Sequence, residues 1–213
     1  MPWKRPETVP YPNVWWTFEA PDPDREDGAL VTYRVEDLTE DRFEDAIKLY
    51  TEHFLDDEPM CAFGRIRHNP LSYEEIVQFW HYILNEKITI VCYKEGSKEI
   101  VGANLLSVKM ASDKADLSDL IKSKDMQILV AANEYMTDTV NLFERYGVDK
   151  YLTAYGLSVN TRYRGRGIAT EILKARRPIC RAFGLRLTST NFTAIGSQKP
   201  AAKIGFQTDL EMP

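Results

Sequence analysis

The stretch that decides the fold runs Gly156-Leu-Ser-Val-Asn-Thr-Arg-Tyr-Arg-Gly-Arg-Gly-Ile-Ala-Thr170. Leu157 to Val159 is typical of the end of a buried strand, and apolar residues then recur at helical spacing from Ile168 to Phe183. A helix that begins directly after a loop has unpaired backbone N–H groups, and its dipole places positive charge at the same end. The stretch therefore predicts a strand, an anion-binding loop and a helix.

The loop combines glycines with basic residues: Arg162, Arg164, Gly165, Arg166 and Gly167. Glycines allow the backbone to approach an anion closely and to adopt positive φ angles. The loop is not a P-loop, because no Gly-Lys-Ser/Thr follows, and it is not a dinucleotide fingerprint, because Thr170 stands where that motif needs glycine. We expect it to bind a pyrophosphate; the alternative is a glycine-rich turn that only caps the helix.

Composition limits the classes of protein that the chain can belong to. A chain of 213 residues with 44% hydrophobic and 28% charged residues is typical of one globular domain. The net charge of −5 argues against a nucleic-acid binder. Three distant cysteines predict neither a disulfide framework nor a metal site. No leader or membrane-spanning run is apparent, so we expect a cytoplasmic protein without a membrane partner.

Hydrophobic periodicity predicts an α/β fold in which a mixed sheet is flanked by helices. The predicted strands are 29–34, 87–94, 100–110, 150–159, 186–192 and 206–210. The predicted helices are 39–53, 73–85, 126–146, 168–183 and 197–204, with a kink at Pro178 and a polar surface loop over 111–125. The proline-rich, aromatic segment 1–28 is expected to be an arm packed on a single domain, 29–213, although a partner-binding arm is the alternative.

Three motifs then point to a family. Arg162, Gly165 and Gly167 match the acetyl-CoA loop of the GNAT acetyltransferase superfamily, and the surrounding stretch resembles that of the insect arylalkylamine N-acetyltransferases. The turn Asp57-Glu58-Pro59-Met60 is similar to their Asp-Glu-Pro-Leu turn, and Lys203-Ile204-Gly205-Phe206 is similar to their Lys-Leu-Gly-Phe. The resemblance implies the GNAT fold. Because the family usually adds a seventh strand and the given sequence stops at Pro213, we expect either that this strand lies beyond the given sequence or that this edge of the sheet is built differently.

The resemblance also implies an activity: direct transfer of acetyl from acetyl-CoA to a small primary amine in a ternary complex. It implies that Glu58 is the general base, and that Thr193 and Ser197 take the places of two serines near the acceptor or the thiol. It implies that the following residues bind acetyl-CoA: Leu157, Ser158, Val159, Arg164, Gly165, Arg166, Gly167, Ile168, Ala169 and Lys203. We expect no metal, no nucleic acid and a monomeric enzyme.

Several alternatives stay open at this point. An alkylammonium with a pKa near ~10 must lose a proton before it attacks a thioester, so a carboxylate base fits the chemistry. Asp57 is a rival base, and Glu58 could lie in a solvated acidic turn. Ser197 could simply cap the last helix. The acceptor could be an arylalkylamine, a polyamine, agmatine or a protein, and the chain could be a CoA-binding module without turnover.

Overall fold

A computed structural model describes residues 3–113 and 120–212. They form a five-stranded antiparallel sheet in the order β1-β2-β3-β4-β5, with helices against it. The strands are β1 Val14–Pro21, β2 Leu30–Asp37, β3 Ile90–Lys94, β4 Ile100–Met110 and β5 Lys150–Val159. The helices are α1 Phe43–His53, α2 Pro59–Phe63, α3 Pro70–Leu84, α4 Lys124–Val140, α5 Leu142–Tyr146, α6 Ile168–Lys174, α7 Arg176–Ala182 and α8 Ile195–Lys203.

The sheet separates two apolar cores, as the alternation of its side chains requires. Along β3, Ile90 and Cys92 belong to the core beneath α6 and α7, whereas Val91 and Tyr93 belong to the core beneath α1 and α3. The α/β prediction is thus confirmed. Among the described residues, no helix is long and apolar enough to cross a membrane.

The N-terminal segment contributes a strand that the sequence pattern did not predict. β1 pairs with β2 at the edge of the sheet, where the prolines around it remove few ladder hydrogen bonds. Arg5 pairs with the buried Asp37 carboxylate at 2.7 Å, and Trp15 donates to the same carboxylate. Burial raises the pKa of Asp37, and the contact with Arg5 opposes that shift. The division into an arm and one domain stays a prediction, and residues 1, 2 and 213 lie outside the described ranges.

At the opposite edge, two predicted strands are not formed. The 186–192 segment makes one parallel bridge, between Leu152 and Thr188, and 206–210 is not a strand. The buried Arg176 side chain explains the local geometry: it donates to the carbonyls of Leu152 and Ser189, at 3.1 and 3.2 Å, and to two threonine hydroxyls. These side-chain bonds replace a continuous backbone ladder.

Two predicted helices are broken, three begin earlier than predicted, α4 among them at Lys124, and α1 begins later, at Phe43. The helix predicted over 168–183 is divided at Ala175, because Pro178 has no N–H for the carbonyl of Lys174. The helix predicted over 126–146 is divided at Asn141, which has a φ of 45°. α3 begins at Pro70 after an Asn69 cap, and α8 begins at Ile195. In the loop predicted over 111–125, residues 114–119 lie outside the described ranges.

A half-buried carboxylate, that of Glu86, ties the end of α3 to β4. Glu86 accepts hydrogen bonds from the Ser107 hydroxyl at 2.8 Å and from the Val108 N–H at 3.2 Å. Burial disfavours its ionised form and raises the pKa of Glu86 to about 7. The folded state therefore binds this proton more tightly than the unfolded state, so Glu86 stabilises the fold below pH 4.5 and loses that contribution as the pH rises to about 7.

We predict that Glu86→Gln raises the stability of the protein at pH 8 and that this gain shrinks as the pH falls towards 5. A glutamine keeps an oxygen for the Val108 N–H but never carries the buried charge. Urea unfolding midpoints at several pH values measure the effect. Glu74→Gln, at an exposed position of α3, is the control and should show no such trend. A stability difference for Glu86→Gln that does not vary with pH would contradict the interpretation.

Candidate acyl-transfer site

The outer edge of β5 presents backbone groups without a partner strand. The Asn160 N–H donates to the Val101 carbonyl of β4 at 3.0 Å. Because successive residues of a strand direct their backbone groups to opposite sides, the backbone of Ser158 also faces β4, whereas the backbone groups of Leu157 and Val159 face away from it. Among the described residues, this edge makes backbone hydrogen bonds to another segment only at Leu152. An extended ligand could add to the free part of the edge as a strand would.

A β-bulge lies just before this free edge. Leu105 pairs with Gly156 and Leu106 with Ala154, which leaves Tyr155 unpaired and bends the strand. The Gly156 carbonyl accepts from the Asn104 amide at 2.7 Å and from the Tyr50 hydroxyl at 3.3 Å. A Cβ at Gly156 would lie 2.9 Å from the Tyr50 ring, so only glycine allows this approach.

The glycine loop leads directly into α6. Gly165 and Gly167 have φ angles of 76° and 80°, and Gly167 precedes the helix without a side-chain cap. A Cβ added at either glycine would meet nothing within 4 Å, so the space in front of the loop is open. Uncapped N–H groups beside open space fit a phosphate group.

The loop arginines are already engaged, which the sequence did not indicate. Arg162 pairs with Asp24. Arg164 donates to Asp57 at 2.5 Å, to the His53 carbonyl at 2.7 Å and to the Val159 carbonyl at 2.9 Å. The Arg166 guanidinium donates to the carbonyls of Arg162 and Arg164. The loop would therefore bind an anion mainly through its backbone N–H groups.

Glu58 and Thr193, 135 residues apart, meet beside this loop. The Thr193 hydroxyl donates to one carboxylate oxygen of Glu58 at 2.5 Å, and the Cys61 N–H donates to the other at 2.7 Å. Glu58 is the N-cap of α2 and only 9% exposed, so it does not lie in a solvated turn. Asp57 has a side chain that is 52% exposed and pairs with Arg164, while Asp56 pairs with Arg67. Of the three acids, Glu58 is the buried one without a basic partner among the described residues.

The other predicted site residues on α8 lie elsewhere. Ser197 is the third residue of the helix and donates to the Ala194 carbonyl at 2.8 Å, so the interpretation of Ser197 as an N-cap is wrong. Lys203 is exposed at the far end of α8 and lines a cleft to which no residue of the glycine loop contributes. The structure thus brings Glu58 and Thr193 together, and leaves Lys203 apart from the loop.

Two titratable groups near Glu58 in the chain have pKa values that burial shifts towards the uncharged form. Burial raises the pKa of the Cys61 thiol, and burial lowers the pKa of His53. The His53 carbonyl accepts from Arg164 and from the Ser158 hydroxyl, so it joins the end of α1 to both β5 and the loop. The sequence could not indicate this role of the His53 carbonyl, because every residue has a backbone carbonyl. Within the described ranges, no cluster of His, Cys, Asp or Glu side chains is arranged to hold a metal ion.

We predict that Gly167→Ala weakens CoA binding about tenfold or more, because alanine at a φ of 80° strains the loop and displaces its N–H groups. Isothermal titration calorimetry measures the affinity. Gly147→Ala is the matched control, since Gly147 has a φ of 59° at the end of α5, and it should lose stability but keep CoA affinity. Equal losses of affinity in both variants would mean that general destabilisation causes the effect.

Comparisons with solved structures bear on the family. The chain superposes with a TM-score of 0.93 on the provisionally named arylalkylamine N-acetyltransferase 7 of the yellow fever mosquito, Aedes aegypti, at 45% identity over 98% of this chain and 86% of the other. Arylalkylamine N-acetyltransferase 2 of Aedes aegypti gives a TM-score of 0.69 at 20% identity, with 83% of each chain covered.

The Drosophila melanogaster polyamine N-acetyltransferase that forms N-acetylagmatine gives a TM-score of 0.71 at 17% identity, covering 82% of this chain and 83% of the other. At 20% and 17% identity, the second Aedes aegypti structure and the Drosophila melanogaster structure show only that the fold is shared. No protein-family model and no curated protein matches the chain. The extent and identity of the first superposition are sufficient to assign the family: the chain belongs to the insect arylalkylamine N-acetyltransferases of the GNAT superfamily.

Proposed function

We propose that the protein transfers the acetyl group of acetyl-CoA directly to a small primary amine of the arylalkylamine type, with Glu58 as general base. The observation that carries the proposal is the buried Glu58 carboxylate, which Thr193 and Cys61 orient at the edge of the open phosphate loop. Family membership supports the reaction class, and the geometry supports the choice of base.

Glu58 suits proton removal better than its neighbours do. The amine arrives as an ammonium ion and needs an acceptor within hydrogen-bond reach. Asp57 is held in an ion pair with Arg164, so its carboxylate already has a cationic partner. Glu58 has no such ion pair among the described residues, and its two hydrogen bonds fix the direction of its lone pairs.

The cysteines favour direct transfer over an acetyl-enzyme. A thiolate is the nucleophilic form of cysteine, and burial raises the pKa of all three cysteines. Cys61, which is nearest to Glu58, therefore stays a thiol at neutral pH. In the direct reaction, the amine nitrogen forms a bond to the acetyl carbon as the carbon–sulfur bond breaks. Glu58 takes one proton from the ammonium ion, directly or through water, and the second proton passes from the nitrogen to the departing CoA thiolate, which leaves as the thiol.

The edge of β5 and the glycine loop would bind different parts of acetyl-CoA. The outward backbone of Leu157 and Val159 would pair with the pantetheine arm, and an N–H at this edge would polarise the thioester carbonyl. The backbone from Gly165 to Ala169 would hold the pyrophosphate. Ser158 and Arg164 would act by fixing this edge, because both side chains bond to the His53 carbonyl. Thr193 would orient Glu58 rather than react itself.

The surroundings of Glu58 favour an apolar acceptor over a polycation. Asp56 and Asp57 are neutralised by Arg67 and Arg164, so the acidic turn offers little free negative charge. Apolar side chains flank the Glu58–Thr193 pair in the chain: Phe63 is 88% exposed and Ile195 is 65% exposed. Trp80 is fully buried beneath Phe54 and Tyr50, so it cannot contact a substrate.

We predict that Glu58→Gln lowers kcat/KM by about 100-fold or more while acetyl-CoA still binds, because glutamine can accept the Cys61 N–H but cannot take a proton. Thiol release from acetyl-CoA and calorimetry measure the two properties. Asp56→Asn is the matched control at the exposed neighbouring acid and should retain most activity. If Glu58→Gln kept kcat/KM within a few-fold of wild type, the base would have to be another group.

We predict that tyramine, dopamine or another arylalkylamine gives a higher kcat/KM than agmatine or spermidine, because the carboxylates of the turn are paired and its exposed neighbours are apolar. Initial rates over a panel of amines at saturating acetyl-CoA test this. A preference for spermidine would contradict the proposed acceptor class. No turnover with any amine, despite tight acetyl-CoA binding, would instead indicate a protein acceptor or a binding module.

A further inference from the structure

Two side chains hold the carbonyl of Gly156, although this residue lies in the interior of β5. The Asn104 amide of β4 donates to the carbonyl oxygen at 2.7 Å, and the Tyr50 hydroxyl of α1 donates to it at 3.3 Å. Asn104 and Tyr50 are both 0% exposed. Burial raises the pKa of Tyr50, so its hydroxyl stays protonated and remains a donor at neutral pH. Two buried donors therefore fix the direction of one backbone carbonyl.

The direction of this carbonyl decides the direction of the next N–H group. The peptide bond between Gly156 and Leu157 is trans, and the C=O and N–H groups of a planar trans peptide point to opposite sides. Because the Gly156 carbonyl points inwards, the Leu157 N–H points outwards, to the free edge of β5. Hydrogen bonds to the carbonyl also polarise the peptide and strengthen its N–H as a donor. Asn104 and Tyr50 thus act on a group that faces the open side of the sheet.

The side chain of Asn104 is not explained by stability. Its amide oxygen is buried and has no hydrogen-bond partner among the residues that the structure describes. The two ends of the amide cannot be exchanged, because the oxygen would then face the oxygen of the Gly156 carbonyl. A buried acceptor without a partner destabilises the folded state, so an apolar side chain of similar size would serve packing at least as well. The amide is therefore explained by its effect on Gly156.

We propose that Asn104 and Tyr50 are positioning residues for acetyl transfer, which hold the Gly156–Leu157 peptide so that the Leu157 N–H donates to the thioester carbonyl of acetyl-CoA. This inference rests on the proposed function. As the amine attacks, negative charge develops on the oxygen of that carbonyl, and an N–H that is already oriented stabilises the charge. Neither side chain contacts the substrate, because both are fully buried.

Infrared difference spectroscopy of bound acetyl-CoA, isotopically labelled at its carbonyl carbon, tests the polarisation without any amine. In the wild type, we expect the carbonyl stretch to lie below its frequency in solution. Asn104→Leu keeps the approximate size of the side chain but removes the donor, and it should return the stretch most of the way to the solution value. Tyr50→Phe should return it by a smaller amount, because the Tyr50 hydrogen bond is the longer one.

Kinetics and stability separate positioning from folding. Asn104→Leu should lower kcat about tenfold and leave unchanged the Kd of CoA, which has no thioester carbonyl. Its urea unfolding midpoint should change little, because the substitution removes the unpaired oxygen together with the hydrogen bond. Thr89→Val is the matched control: within the described ranges the buried Thr89 hydroxyl also has no partner, and its removal should leave the stretch and kcat unchanged. Equal losses of kcat, CoA affinity and stability in Asn104→Leu would contradict the inference.

The wild-type spectrum distinguishes this inference from the proposed function. A wild-type stretch equal to that in solution would mean that no N–H of the β5 edge polarises the thioester, which contradicts the proposed mechanism and the inference together. A lowered stretch that Asn104→Leu, Tyr50→Phe and the double variant all retain would leave the proposed mechanism intact and overturn the roles of these two residues alone. Neither the spectrum nor the Kd of CoA depends on which amine is acetylated.

Discussion

The position of the candidate site depends on one guanidinium group. Arg164 contacts three parts of the chain at once: the end of β5 through the Val159 carbonyl, the end of α1 through the His53 carbonyl, and the acidic turn through Asp57. Because Asp57 directly precedes Glu58, these bonds set the distance between the glycine loop and the carboxylate. The ion pair itself is about half exposed and adds little stability. Its importance is geometric, since a planar guanidinium fixes the directions of all its acceptors.

Because Arg162 and Arg164 already form ion pairs, the glycine loop would bind an anion in a different way than its sequence suggests. If Arg162 and Arg164 were free, affinity would come from their charge. Their pairing with Asp24 and Asp57 leaves the backbone N–H groups at the start of α6 as the principal donors. Backbone donors are rigid and need no ordering when the ligand arrives, so recognition depends on the shape of the loop. That shape requires positive φ angles at Gly165 and Gly167.

Sequence reasoning succeeded where one local pattern decides the structure. Alternation predicted β4 and β5, and glycine spacing predicted the loop that leads into α6. The acidic turn pointed to Glu58, whose catalytic role stays a prediction. It failed where the outcome depends on a distant partner. β1 was missed because its apolar residues lie between prolines, and the strand forms only because β2 is available to pair with it. The contact between Thr193 and Glu58 spans 135 residues and has no periodicity to reveal it. The Ser197 hydroxyl, which the resemblance placed near the acceptor or the thiol, donates to the Ala194 carbonyl, and its role in the site stays a prediction.

The free edge of β5 and the orientation of Glu58 both follow from how the segment after α7 meets β5. Arg176 is fully buried, and burial lowers its pKa to about 10, so it remains charged at neutral pH. Its donors are satisfied by uncharged oxygens of Leu152 and of residues 188–190, which holds the segment against β5 at that one point. Three residues further along β5, the bulge at Tyr155 bends the strand. The segment continues instead towards α2, where Thr193 reaches Glu58. The segment thus contacts β5 at Leu152 and then diverges from it. This divergence leaves the edge of β5 free for a ligand and places the Thr193 hydroxyl where it orients the Glu58 carboxylate.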